Sequence, residues 1–133
     1  MPFPVDVAFI TAAERELGLK FPASFVTRMT RQNGGELVCG AESWDLFPFF
    51  DTSDRTRISR TCNDIVRETR AARKRPGFPT DAVAIGTNGC GDLLILLPQS
   101  ATPNALRHDV LWWDHETDQV TCLADDFADL ESR

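Results

Sequence analysis

Five aliphatic residues in a row, Leu93-Leu94-Ile95-Leu96-Leu97, follow closely on the turn sequence Asn88-Gly89-Cys90-Gly91. A run this short and apolar, bounded by turn residues, predicts a strand covered on both faces, because a half-exposed strand would alternate. Ala82 to Thr87 lies on the other side of the turn, so the two segments predict a hairpin. Val110 to Trp113 and Val120 to Leu123 predict a second hairpin across Asp114–Asp118, after a loose loop from Pro98 to His108.

Ahead of these strands the period is helical. Ile10, Ala13 and Leu17 share a stripe between Asp6, which can cap, and Gly18, which can end a helix. A second helix is expected from Pro22 to about Gln32, with Asn33-Gly34-Gly35 as its stop. Trp44 to Phe49 reads as a short strand, with Pro48, which cannot donate to a ladder, marking either a sheet edge or the strand's end. Ser53 or Asp54 is expected to cap one long helix reaching Lys74, with Ile58, Cys62, Ile65, Val66 and Thr69 as its core stripe. Asp125 to Glu131 predicts a short closing helix. Helices grouped beside adjacent antiparallel strands make the fold class α+β, a mostly antiparallel sheet of about five or six strands flanked by helices.

A domain usually takes about 100–200 residues, and no repeat or linker interrupts these 133, so one domain over 1–133 is expected. Cys39, Cys62, Cys90 and Cys122 lie far apart with no C-x-x-C, which predicts reduced, buried thiols and a reducing, cytoplasmic location. The N-terminus has no basic, apolar leader, and no apolar run approaches membrane-spanning length, so no signal peptide and no membrane association are expected. Net charge is −6 and strongly polarised. Arg55 to Arg75 holds eight basic and two acidic residues, a local +6; Asp109 to Arg133 holds eight acids and one base, a local −7. Such polarity suits electrostatic steering of a protein partner.

Few constellations suggest chemistry. Asn88-Gly89-Cys90-Gly91-Asp92 lacks the lysine and spacing of a phosphate loop, and Asp92 would repel an anion. Cys90 as a nucleophile would need His108 or His115 as a base, whereas a tight turn accounts for the composition without catalysis. Asp114 onward fails as a calcium loop, with Gln119 where glycine is required and Asp125 in place of the bidentate Glu. His115-Glu116-Thr117-Asp118 is not a zinc helix motif. Of the adjacent tryptophans, Trp112 and Trp113 point to opposite faces of a strand, which leaves open both core packing and one exposed binding anchor. The basic helix has no interleaved aromatics and the chain is acidic, which argues against nucleic acid.

Taken in order, Ile10-x-x-Ala13-Glu14-x-x-Leu17-Gly18-x-x-Phe21-Pro22, Asn33-Gly34-Gly35, Trp44, Ile85-Gly86-x-Asn88-Gly89-Cys90-Gly91-Asp92 and Val110-x-x-Trp113-Asp114-His115-Glu116-Thr117 resemble the SUKH superfamily. That group includes fungal cell-wall-assembly regulators and bacterial immunity proteins. The resemblance implies a sheet flanked by helices and a protein-binding role without enzymatic activity, cofactor or metal. The implied function is an immunity protein neutralising a polymorphic toxin of nuclease or deaminase type, the alternative being a scaffold or regulatory domain. The expected partner is a basic toxin domain, with Trp44, Asp92, Trp112, Asp114, His115, Glu116 and Asp118 as candidate contacts. The oligomeric state is left open between monomer and weak dimer. Leu93 to Leu97 is greasier than the matching strand of relatives, implying cover by a helix or a second subunit.

Overall fold

The computed structural model describes residues 2–39 and 41–131. Asp6 accepts a hydrogen bond from the Ala8 amide and starts α1 (Val7–Leu17), which Gly18 ends in the left-handed conformation, φ 71°. Pro22 sits at the cap of α2 (Ala23–Arg31), so the helix starts one residue later than the sequence suggests. Gly34 and Gly35, at φ 103° and 88°, do more than stop this helix. They turn the chain directly into β1 (Gly35–Cys39), a strand the sequence does not reveal because only Leu37 of its five residues is buried. β2 (Glu42–Leu46) follows, shorter and earlier than Trp44–Phe49; Phe47 and Phe49 are buried beyond its end.

The expected long helix is two helices, α3 (Arg55–Arg60) and α4 (Ile65–Ala72). Asp64 breaks it: its carboxylate accepts from the Arg67 amide at 3.0 Å, capping α4 instead of continuing α3. The Ile65 amide then donates to the Pro48 carbonyl, anchoring α4 to the chain after β2. Of the predicted stripe, Ile65 and Thr69 are fully buried and Val66 half-buried, while Ile58 is 40% exposed and Cys62 faces solvent.

The glycine-rich turn joins β3 (Val83–Thr87) to β4 (Leu93–Leu96), and β5 (Val110–Trp113) pairs with β6 (Val120–Ala124) before α5 (Phe127–Glu131). The six strands run antiparallel in the order β1-β2-β3-β4-β5-β6. β4 is buried on both faces within the chain itself, as its aliphatic run requires, so no second subunit is needed to cover it. The segment from Pro98 to His108 is not loose. Lys20 donates its amide to Asn104 and accepts from Leu106, which is thereby buried beside the link between α1 and α2.

The sheet is curled. Trp44 on β2 and Trp112 on β5 are three strand spacings apart, about 14 Å in a flat sheet. Their rings nevertheless meet edge to face at 5.3 Å. α5 accordingly reaches both β1 and β6, the two edges, and Phe127 packs 5.0 Å from Phe25 of α2. The cysteines are free as expected, but the expectation of burial fails: Cys62, Cys90 and Cys122 are exposed and Cys39 is half-buried. Each lies in a short or irregular segment, or on an edge strand, where an apolar position need not face the core.

Candidate functional site

The β3–β4 turn, the end of β5 and the loop after it converge on Asp92. This residue is buried, with only 12% of its side chain exposed. One carboxylate oxygen accepts from the His115 amide at 3.0 Å and from His115 Nδ1 at 2.5 Å. The other accepts from Trp112 Nε1 at 3.1 Å and Asn88 Nδ2 at 3.2 Å. Burial alone pushes the Asp92 carboxyl up. The hydrogen bonds from His115, Trp112 and Asn88 outweigh it and hold the group below its ordinary 3.8. A buried carboxylate satisfied by four donors is a rigid joint.

Glycine makes the close approach feasible. Gly91 has φ 100°, and a Cβ there would stand 3.0 Å from the His115 ring. On the other side, Arg75 donates to the Gly91 carbonyl at 3.0 Å and lies over the Trp113 ring at 4.6 Å. Trp113 Nε1 donates to the Gly77 carbonyl, and its ring meets Phe78 edge to face. Asn88 also reaches Glu42 at 2.9 Å, tying the turn to β2.

The loop between β5 and β6 hangs from this joint. Its own bonds stiffen it further: Asp114 accepts from the Glu116 amide at 2.9 Å, and the Asp118 amide donates to the Asp114 carbonyl at 2.8 Å. Glu116 is 79% exposed, Asp118 is exposed with its carboxyl against Gly77, and Asp114 is half-buried. Elsewhere in the acidic stretch Asp109 is answered by Arg107 and Asp126 lies 3.7 Å from His108. The loop thus presents three carboxylates, Asp114, Glu116 and Asp118, within five residues.

The structure thus brings together six of the seven candidate residues, Asp92, Trp112, Asp114, His115, Glu116 and Asp118. Trp44 needs correction as a surface contact: it is fully buried, a core wedge against Trp112. Trp112 itself is half-buried, with its N–H spent on Asp92, and Trp113 is core. Sequence reasoning did not single out Asn88, Glu42 or Arg75 for this network. Asn88 stood in a turn motif that could have flagged it, whereas Arg75 and Glu42 carried no local signal. Asp92, Asp114 and His115 each offer one ligand atom within 4.8 Å of the others. A cation held there would compete with the bonds that already occupy both oxygens of Asp92.

The model of the SMI1 / KNR4 family (SUKH-1) matches residues 4–133. The chain belongs to this family. The joint at Asp92 and the loop it carries therefore lie within the matched SUKH-1 region, as do all six strands. No curated protein matches the chain. No helix among the described residues is long and apolar enough to cross a membrane.

Proposed function

We propose that this SUKH-1 chain is a single-domain, cytoplasmic immunity protein that binds and neutralises a basic toxin of nuclease or deaminase type, without catalysing a reaction. The observation that carries the reading is the acidic loop Asp114–Asp118, held rigid by the hydrogen bonds around Asp92. An enzyme that acts on nucleic acid needs a basic cleft to hold phosphates. A stiff loop bearing three carboxylates can occupy such a cleft at small entropic cost. Asp92 supports the contact from beneath, and His115 sits at the loop's base, beside Glu116 at 4.0 Å from Nε2. Four unpaired cysteines agree with a reducing compartment.

Co-expression with nuclease and deaminase toxin domains, scored by rescue of growth and by co-purification, tests the role. Replacing Asp114, Glu116 and Asp118 by Asn, Gln and Asn should slow association about tenfold or more at low salt and flatten its salt dependence. An unchanged association rate rules out the acidic loop as the contact. Absence of both rescue and co-purification favours a scaffold or regulatory role instead.

A further inference from the structure

A second surface carries the opposite charge. Between α1 and α4 runs an open groove of about 690 Å³. Ala12 on α1 and Ala71 on α4, both short and exposed, line it and leave the space open. Its apolar walls are Phe9 and Val66, each half-buried, and Phe50, which is 42% exposed. Aromatic surface left open in this way marks a place where another apolar face belongs.

The rim decides what that face is. Arg67, Arg70 and Lys74 border the groove, against Glu16 and Asp64. Both acids are already engaged, Glu16 by Arg70 at 2.7 Å and Asp64 by the first turn of α4. Arg67 and Lys74 make no ion pair among the described residues, the Arg67 guanidinium donating only to the Cys62 carbonyl at 3.4 Å, so the rim holds three cations against two engaged carboxylates. A groove between two helices accepts a third helix, whose apolar stripe fills the floor while its flanks meet the rim.

We infer that the α1–α4 groove docks an acidic amphipathic helix of another protein, with its leucine-type stripe over Ala12 and Ala71 and its carboxylates on Arg67 and Lys74. The groove shares no residue with the Asp114–Asp118 loop. A failure here therefore leaves the acidic-loop reading untouched, and the reverse also holds.

Three labelled peptides of about 16 residues test it on the full chain. One carries Leu at helical spacing with Glu elsewhere, one replaces Glu by Lys, and one scrambles the first. The Glu peptide should bind at least about tenfold tighter than the other two. Ala71→Trp and Ala12→Trp, each filling the groove from one side, should each weaken it by about tenfold. Arg67→Glu with Lys74→Glu should reverse the preference toward the Lys peptide. Thermal melts of the variants confirm that they fold. Equal binding of the Glu and Lys peptides, no binding at all, or indifference to both tryptophan variants overturns the inference. Concentration-dependent dimerisation of the protein alone that both tryptophan variants abolish would also overturn it, by assigning the groove to a second copy.

Discussion

At Asp92 two opposing effects meet. Removal from water favours the neutral acid, and donors from His115, Trp112 and Asn88 favour the anion; the donors win. The folded pKa thus lies below the unfolded value of 3.8. The sign follows directly: the stabilisation is present above the unfolded pKa and is lost as pH falls through the lower folded value. Asp92→Asn places an NH2 group against one of the two pairs of N–H donors and leaves that pair unmet. It should cost about 2–3 kcal/mol at pH 7 in urea unfolding, and the variant should lose less stability than wild type between pH 5 and pH 3. Equal stability of the two proteins at pH 7 would show that the network does not hold the loop. The exposed thiols give a simpler test. Cys62, Cys90 and Cys122 should react rapidly with a disulfide reagent in the native state, and Cys39 more slowly.

At the scale of elements, the break between α3 and α4 is the sharpest departure from the sequence pattern. Ile58, Cys62, Ile65 and Thr69 carry a helical period, yet the capping preference of Asp64 resets the helix and rotates the first half of the stripe toward solvent. Ile65→Ala should therefore destabilise by about 2–4 kcal/mol, while Ile58→Ala should stay within about 0.5 kcal/mol of wild type. Comparable losses at the two positions would restore the continuous helix. Asn33 shows the same contest on a smaller scale. It reads as a stop residue, but its side chain donates to the Phe49 carbonyl at 2.9 Å and accepts from the Phe49 amide at 2.8 Å. One buried amide thereby imitates a strand neighbour for the segment that leads from β2 toward α3.

For the molecule as a whole, curling of the sheet sets the arrangement. It brings Trp44 and Trp112 together, places both edges within reach of α5, and surrounds Phe25, Phe49 and Phe127 with core. Phe127→Ala removes the ring by which the last helix closes this core. It should cost about 3–5 kcal/mol and speed amide exchange in β1 and β6 ahead of β3 and β4. Uniform acceleration across all six strands would mean that α5 does not guard the edges. The same closure separates the charges: the acidic loop extends from β5 and β6, and the basic groove lies along α1 and α4.

Strong local patterns were enough to specify α1 with its caps, the β3–β4 hairpin and the β5–β6 hairpin. Those features depend on period, turn residues and neighbours close in the chain. β1 escaped because one buried residue makes no period, and the α3–α4 break escaped because capping competes with a stripe that looks intact. The burial of Trp44 and the parts played by Arg75 and Glu42 depend on contacts between distant segments. Only the curl of the completed sheet decides them, since solvent exposure is a property of the packed molecule and not of any window of its sequence.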